Sequence, residues 1–299
     1  MRKYNTLLPY AALLAAAIIW GGSFVVLKNS LDSLGPNTIL SIRYILASVF
    51  LCLIFKKRLK QISIVSVKRG LFIGVLIYAG SIIGTFGVLY TTAGKAAFLT
   101  TIYVVAAPFV NWLVAKIRPK LYNIAATIVC ITGVGLLSLT SSFTVGIGDT
   151  LCVISGIIYA FHIVYIGIYL KSEDIFVITT LQLVFAAVFA TIAALLTERL
   201  PANPFEPGIV ISMLFLGIVA TSVALLFQFW AQRYIPPART SILLSTESVF
   251  GCISGIIFLS ESMTARMIAG SALIFFAVII SETKLKTLLE IKPLQRRRN

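Results

Sequence analysis

The segment Thr240–Leu259, TSILLSTESVFGCISGIIFL, is an apolar run that carries one carboxylate, Glu247, near its middle. Wound as an α-helix at about 100° per residue, the run places Glu247 on one face with Thr240, Gly251 and Ser254. Large aliphatic side chains occupy most of the remaining circumference. We therefore expect one side of this helix to face lipid and the other to face protein. A charge at such a depth is costly and usually marks a pathway or a binding site.

A related segment precedes this one by 144 residues. Two shorter matches support the same relationship: 18–23 parallels 157–162 at a shift of 139, and 71–75 parallels 214–218 at a shift of 143. Three matches in the same order indicate an internal duplication, with residues 7–141 as the first unit and 148–283 as the second. At the shift of 144, the aligned residues are Tyr90 with Tyr234, Lys95 with Arg239, Leu99 with Leu243, and Tyr103 with Glu247.

The composition excludes an ordinary soluble domain. Of the 299 residues, 59% are hydrophobic and 12% are charged, against roughly 45–50% and about 25% in soluble domains. Uncharged runs of about 20 residues, the length that a membrane-spanning helix needs, recur along the chain. The sequence therefore predicts an all-α membrane protein with ten transmembrane helices. We expect them at about 7–28, 36–55, 69–91, 96–116, 121–141, 149–170, 176–197, 208–233, 239–260 and 264–283.

An odd number of spans in each half means that the two halves enter the membrane in opposite orientations, as two inverted five-helix repeats. Most of the 25 lysines and arginines lie in segments that would share one side, among them the 56–69 connection and a basic tail, 284–299. Because basic residues concentrate in cytoplasmic segments, we expect both termini to be cytoplasmic in a multi-pass inner- or plasma-membrane protein. The net charge of +15 is thus a topology signal, and no nucleic-acid partner is expected.

Three motifs carry a family resemblance. They are WGGSFVVLK at 20–28, RYILA at 43–47, and TESVF at 246–250 followed by LSE at 259–261. They resemble the first, second and ninth helices of EamA-type members of the drug/metabolite transporter superfamily. The resemblance covers about 7–283 and implies a duplicated ten-helix plan that exports or exchanges amino acids, metabolites or drugs. Two departures are Ser248, where the family often has proline, and 115–118, which lacks the Gly-Glu that often closes the fourth helix.

Three ionisable residues within the spans are candidates for transport chemistry. Glu247 is expected to bind a substrate ammonium or to carry a coupling proton; the alternative is a structural carboxylate, hydrogen-bonded to serines or paired with Arg43. Arg43 is suited to hold a substrate carboxylate through two hydrogen bonds, or else to pair structurally or reach the interface. His162, the only histidine, aligns with Ser23 and is a second candidate for proton coupling. Its alternative is a neutral core histidine.

Aromatic and amide side chains complete the predicted substrate site. Aromatic rings can hold an apolar part of a substrate, while tyrosine and glutamine can orient its polar end; packing is the alternative for each of them. The residues with this character are Trp20, Tyr78, Tyr103, Tyr159, Tyr165 and Gln228. The predicted substrate-binding set is Trp20, Ser23, Arg43, Tyr78, Tyr103, Tyr159, His162, Gln228 and Glu247.

Inverted repeats are typical of secondary transporters, whose substrate site lies near mid-membrane between the halves. No HExxH, GxSxG or P-loop motif occurs, and the four cysteines have no metal-binding spacing. The sequence therefore predicts no enzymatic activity, cofactor or metal, and a carrier that exports amino acids or related metabolites by alternating access. A multidrug or nucleotide-sugar carrier of the same fold is the alternative; a membrane-embedded enzyme and a channel are other classes. The expected partners are the solute, the lipid bilayer and a coupling proton, and the protein could be a monomer or a homodimer.

Overall fold

A computed structural model describes residues 7–138, 145–169, 172–199, 206–231, 234–235, 240 and 243–283. These ranges form ten helices joined by short connections. The predicted basic tail, 284–299, lies outside them. The helices are α1 Leu7–Ser30, α2 Pro36–Phe55, α3 Ile64–Tyr90, α4 Ala93–Ala115, α5 Leu121–Ser138, α6 Ile147–Tyr169, α7 Ile175–Thr197, α8 Pro207–Ala231, α9 Leu243–Leu259 and α10 Ala265–Thr283.

The predicted membrane class is confirmed by these helices. By length and composition, α1 to α8 are able to cross a membrane, and α9 and α10 are shorter apolar helices. On α9, Ser248, Gly251 and Gly255 are buried, whereas Ile253 and Ile257 are 45% and 65% exposed. The division of this helix into a protein-facing and a lipid-facing side agrees with the sequence analysis.

Helices α3 and α4 begin several residues before their predicted starts, because capping side chains and not charges set their ends. Helix α3 starts at Ile64, where Ser63 accepts a hydrogen bond from the backbone N–H of Ser66 (3.0 Å). Helix α4 starts at Ala93, capped by Thr92. The basic residues that suggested later starting points lie inside these helices, Arg69 in the second turn of α3 and Lys95 in the first turn of α4.

Helices α4 and α8 depart from regular α-helix. Helix α4 is divided at Thr101, whose hydroxyl donates to the backbone carbonyl of Ala97 (2.8 Å). Helix α8 is a π-helix over Phe215–Val223. Serine and threonine hydroxyls that bond to the preceding turn commonly bend helices, and π-helical turns are frequent at functional sites. The π-helical segment contacts residues of the candidate site described below, and the break in α4 lies just before Tyr103, a member of that site.

The two halves pack against each other along most of their length. Helix α1 contacts α8 and α9, and α6 correspondingly contacts α3 and α4, while α2 contacts α7, α4 contacts α9, and α5 contacts α10. Small residues permit this packing. A Cβ atom on Gly74 would lie 2.8 Å from the Phe185 Cβ on α7, and one on Gly217 would lie 2.7 Å from the Leu46 Cβ on α2. Gly74 and Gly217 are aligned at the shift of 143, so they occupy equivalent contacts in the two halves.

One end of the helix bundle, here named the Arg58 end, carries the α2–α3 and α6–α7 connections. Arg58 forms an ion pair with Asp174 (2.5 Å), and Arg69 forms one with Glu173 (2.7 Å). The hydroxyl of Ser66 also donates to Glu173 (2.6 Å). These contacts attach the first half to the connection between α6 and α7.

The opposite end, here named the Glu261 end, is held by a carboxylate at the N-terminus of α4. Glu261, which follows α9, accepts hydrogen bonds from the backbone N–H groups of Ala93 and Gly94 (2.6 and 2.9 Å). These donors have no partner within their own helix, and the helix dipole favours negative charge at this position. The contact joins the second half of the chain directly to the first.

Further polar contacts hold the Glu261 end. Glu198, after α7, accepts hydrogen bonds from the backbone N–H and the hydroxyl of Thr38 at the start of α2 (2.8 Å each). Lys95 forms an ion pair with Asp149 (2.7 Å). The ammonium group of Lys28 donates to three backbone carbonyls at and just beyond the C-terminus of α3. This end therefore combines two carboxylate caps with buried or half-buried charge contacts.

Candidate functional site

The Tyr103 side chain lies next to the Glu247 carboxylate, within interaction range of it. Tyr103 lies just beyond the break in α4, and Glu247 lies on the face of α9 that is turned toward the protein. Both side chains are half-buried. The structure thus brings together the two residues that the internal duplication aligns, one from each half of the chain.

Arg43 of α2 is also half-buried, and its Nε atom donates to the hydroxyl of Thr221 on α8 (2.8 Å). In the part of the chain that the structure describes, Arg43 forms no ion pair within 4.0 Å. The Arg43–Glu247 pair that the sequence left open as a structural alternative is therefore not formed. Arg43 is held by the neutral hydroxyl of Thr221 instead, and Glu247 has Tyr103 as its neighbour.

Tyr159 of α6 lies near both of these side chains. The Arg43 guanidinium and the Glu247 carboxylate both lie within electrostatic range of the Tyr159 hydroxyl. That hydroxyl shares a hydrogen bond with Ser81 of α3 (2.7 Å), and Ser81 in turn shares one with the buried hydroxyl of Tyr44. Helices from both halves thus contribute to one polar cluster, which we name the central cluster. Its members are Arg43, Tyr44, Ser81, Tyr103, Tyr159, Thr221 and Glu247.

Trp20 and Tyr78 lie next to the central cluster and are fixed by hydrogen bonds to other helices. The indole Nε1 of Trp20 donates to the backbone carbonyl of Ala220 on α8 (2.7 Å). The hydroxyl of Tyr78 donates to the Asn37 side chain (2.7 Å), toward the Glu261 end. Both side chains are half-buried, so each has part of its surface available for other contacts.

His162 lies beside the central cluster and pairs with a neighbouring helix. Its Nε2 atom is 2.8 Å from Oε1 of Gln182 on α7, and its ring lies 6.4 Å from that of Tyr159. The hydroxyl of Ser23, the residue aligned with His162, donates to the backbone carbonyl of Trp20 in its own helix (2.6 Å). Ser23 therefore uses its hydroxyl locally.

Gln228 and Tyr165 are the remaining residues that the sequence analysis considered. Gln228 is half-buried on α8, beyond the π-helical segment. The ring of Tyr165 packs edge-to-face against Phe72 of α3, with centroids 4.7 Å apart. Tyr165 is thus part of aromatic packing between α3 and α6.

Four residues that form or support this candidate site are absent from the set predicted from the sequence. Tyr44 and Ser81 extend the hydrogen-bond chain from Tyr159, Thr221 holds Arg43, and Gln182 holds His162. Tyr44 directly follows Arg43 in the RYILA motif, so a signal for it was present. A serine or threonine in an apolar helix has no comparable signature, because it can always bond to its own backbone.

An apolar groove of about 540 Å³ lies apart from the central cluster, between α1 and α8. Leu8 and three alanines form its α1 side, and larger side chains form its α8 side. Its lining carries no charge, so it lacks the groups that the central cluster provides. The lining residues are Leu8, Ala11, Ala12, Ala15, Leu226, Phe227 and Trp230.

Comparison with known proteins agrees with the resemblance seen in the motifs. The model of the EamA-like transporter family matches residues 7–139 and 146–283, which is most of the chain. Over 271 residues the chain is 31% identical to an uncharacterized transporter of Archaeoglobus fulgidus, covering 90% of this chain and 83% of that relative. It is 23% identical over 288 residues to the uncharacterized transporter YoaV of Bacillus subtilis, covering 90% and 94%.

A solved crystal structure is similar in fold, with a TM-score of 0.63 at 12% sequence identity. The match covers 92% of this chain and 98% of that one. The two family matches and the relatives named as transporters agree with the duplicated, all-helical membrane architecture. The chain therefore belongs to the EamA-like transporter family, and it is a membrane transporter and not an enzyme.

Proposed function

We propose that this transporter is a secondary carrier for small zwitterionic solutes, amino acids or related metabolites, which it exports by alternating access. The observation that carries the proposal is the pair of opposite charges, Arg43 and Glu247, that share the Tyr159 environment without pairing with each other. Unpaired charges inside a membrane are costly. A zwitterion offers a carboxylate to Arg43 and an ammonium to Glu247, so its binding would satisfy both.

The aromatic residues around these charges support the same substrate class. Trp20, Tyr103 and Tyr159 are half-buried and offer ring surface to an apolar side chain. Polar groups that fix orientation within a largely apolar lining are typical of small-molecule sites. The predicted substrate set therefore remains our proposal, with Tyr44 and Thr221 added as supporting residues.

We propose that residues 7–141 and 148–283 are repeats inserted in opposite orientations. The reciprocal helix contacts support this arrangement, since exchanging each helix for its counterpart in the other half preserves them. The concentration of basic residues in the 56–69 connection favours a cytoplasmic Arg58 end. Both termini would then be cytoplasmic, and the Glu261 end would face the other side.

Alternating access requires each end of the bundle to open in turn. The caps at the Glu261 end join α4 to the connection after α9, and α2 to the residues after α7. They are contacts that a carrier would break when it opens toward the outside. We therefore propose that the present arrangement is closed at the Glu261 end.

Glu247 is our proposed coupling residue, because its carboxylate can exchange a proton or bind the substrate ammonium at the same place. His162 remains a second candidate for coupling, and its Nε2 atom pairs with Oε1 of Gln182 (2.8 Å).

Purified protein in liposomes containing a pH-sensitive dye tests the proposal, with a panel of radiolabelled amino acids as solutes. We expect saturable uptake and counterflow of at least one amino acid, accompanied by proton movement that Glu247→Gln abolishes. Non-saturating flux would identify a channel. Transport that is confined to uncharged drugs or nucleotide sugars would replace the proposed substrate class.

A further inference from the structure

The π-helical segment of α8, Phe215–Val223, is where two candidate site residues from other helices attach. Trp20 of α1 donates to the carbonyl of Ala220, and Arg43 of α2 donates to the hydroxyl of Thr221. Helix α2 approaches this segment closely, since a Cβ atom on Gly217 would lie 3.1 Å from the Arg43 carbonyl oxygen. The segment is thus a shared support for both side chains.

The irregular backbone makes these contacts possible. The N–H of Ala224 donates to the carbonyls of Val219 and Thr221, and so bypasses Ala220, the partner that a regular α-helix would use. The carbonyl of Ala220 accepts from Trp20 instead. The hydroxyl of Thr221 donates to the carbonyl of Leu216, five residues earlier (2.8 Å), which matches the π-helical and not the α-helical repeat.

The two halves differ in helix type at this segment. At the shift of 143, Thr221 aligns with Tyr78 of α3. Helix α3 is an uninterrupted α-helix over Ile64–Tyr90, whereas α8 changes its hydrogen-bond register around Thr221. Departures from local regularity concentrate at functional sites, and here the departure coincides with the anchor of a membrane-embedded charge.

The hydroxyl of Thr221 makes two hydrogen bonds, one as a donor within α8 and one as an acceptor from Arg43. Because its hydroxyl hydrogen is committed to the Leu216 carbonyl, its oxygen is free to accept from Arg43 Nε (2.8 Å). A guanidinium has five N–H donors in a rigid plane. Fixing Nε therefore orients the whole plane. In the described residues, the four terminal N–H donors of Arg43 make no hydrogen bond, so they remain for a ligand.

We propose that Thr221 is a positioning residue that orients the Arg43 guanidinium for two parallel hydrogen bonds to a substrate carboxylate. This inference rests on the proposed function, and it adds a role for a residue outside the predicted site. The π-helical register directs the Thr221 hydroxyl, and the hydroxyl in turn sets the plane of Arg43. Bidentate recognition of a carboxylate depends on that plane.

Transport of the amino acid panel and of the corresponding amino acid amides tests the role of Thr221. In Thr221→Val we expect KM for the amino acids to rise about tenfold or more, with kcat little changed and with KM for the amides unaltered. Thr221→Ser keeps the hydroxyl and is expected to restore the wild-type KM. Ser222→Ala is the matched control, because the Ser222 hydroxyl lies in the same segment and bonds only to backbone carbonyls.

Equal increases in KM for amino acids and amides, or equal effects of Thr221→Val and Ser222→Ala, would overturn the inference. A ligand-free measurement separates its failure from that of the proposed function. NMR of protein with isotope-labelled arginine reports solvent exchange of the Arg43 Nε–H, which we expect to be slow in wild type and Thr221→Ser and fast in Thr221→Val. Unchanged exchange in Thr221→Val would overturn the positioning role, even if the panel contained no substrate.

Discussion

The side chains of Tyr103 and Glu247 lie next to each other across the boundary between the two halves of the chain. They occupy aligned positions in the duplicated sequence, so the first repeat has a tyrosine where the second repeat has a carboxylate. Contact between aligned residues is what a two-fold relation between the halves produces near its axis. A position on that axis occurs once per molecule, so it is suitable for the single substrate site that we propose.

Removing the charge of Glu247 should impair transport more than removing its partner. We predict that Glu247→Gln lowers kcat/KM by about tenfold or more, since hydrogen bonds to charged groups are worth about 1.5–3 kcal/mol. Tyr103→Phe should have a smaller effect, because the carboxylate stays. The measurement is uptake into proteoliposomes. Glu206→Gln, which alters an exposed carboxylate, serves as the control, and an equal loss in this variant would contradict a specific role for Glu247.

The contact between α1 and α9 should not tolerate a methyl group at Gly21. A Cβ atom there would lie 2.6 Å from the Phe250 Cβ and 2.7 Å from the Glu247 carbonyl oxygen. We predict that Gly21→Ala lowers the free energy of unfolding by about 1–3 kcal/mol. The neighbouring Gly22→Ala is the matched control, because a Cβ at Gly22 has nothing within 4 Å.

Thermal unfolding of the two alanine variants in detergent measures this difference. Gly22→Ala should be neutral or slightly stabilising, since alanine favours helix over glycine by about 1 kcal/mol. If Gly21→Ala were as stable as Gly22→Ala, the close packing of α1 on α9 would be wrong.

Much of the fold followed from the sequence because the membrane restricts the choices. Ten apolar segments had to become helices, and their order and approximate positions agree with the structure. Charges served less well as markers of helix ends. At Ser63 and Thr92, side-chain caps allow a helix to include basic residues, although the low hydropathy of such residues predicted connections there.

Only some residues of the candidate site could be predicted from the sequence, for a physical reason. Glu247, Arg43 and Tyr103 stood out because charged and aromatic groups are conspicuous in apolar helices. Thr221 and Ser81 did not, since their role depends on which helix faces them. The π-helical segment of α8 had no sequence signal that we recognised, and its hydrogen-bond register appears only in the folded chain.

Glu261 should protect the start of α4 from opening. In Glu261→Gln one of the two charge-assisted hydrogen bonds to Ala93 and Gly94 is lost. We predict that amide hydrogen exchange at 93–95 becomes about tenfold faster or more, as measured by mass spectrometry. Exchange in this segment should not change in Glu206→Gln. Identical exchange in wild type and Glu261→Gln would show that the carboxylate does not hold this end.

Single cysteines should report opposite sides of the membrane for the two ends of the bundle. In a protein without native cysteines, Ser262→Cys lies at the exposed Glu261 end and Lys57→Cys at the exposed Arg58 end. We predict that a membrane-impermeant maleimide labels Ser262→Cys in intact cells and labels Lys57→Cys only after permeabilisation. The reverse pattern would invert the proposed orientation, and labelling of both in intact cells would contradict the proposed span arrangement.

A covalent cross-link between α4 and α9 at the Glu261 end tests the central claim, which is that the two halves separate at this end during transport. A Cβ atom on Gly94 of α4 would lie 3.7 Å from the Cys252 Cβ of α9, within the range of about 3.5–4.5 Å that a disulfide requires. We expect Gly94→Cys to form a disulfide with the native Cys252 when the other three cysteines are replaced and the Cys252 side chain turns away from Met263, whose Sδ atom its Sγ contacts (2.8 Å). Mass spectrometry after oxidation measures the cross-linked fraction. The control carries Gly94→Cys with Cys252→Ala.

The decisive measurement is transport in proteoliposomes before oxidation, after oxidation and after reduction. We predict that the Gly94→Cys–Cys252 disulfide stops transport, that reduction restores it, and that the control is unaffected by the oxidant. Undiminished transport by fully cross-linked protein would contradict alternating access through this end.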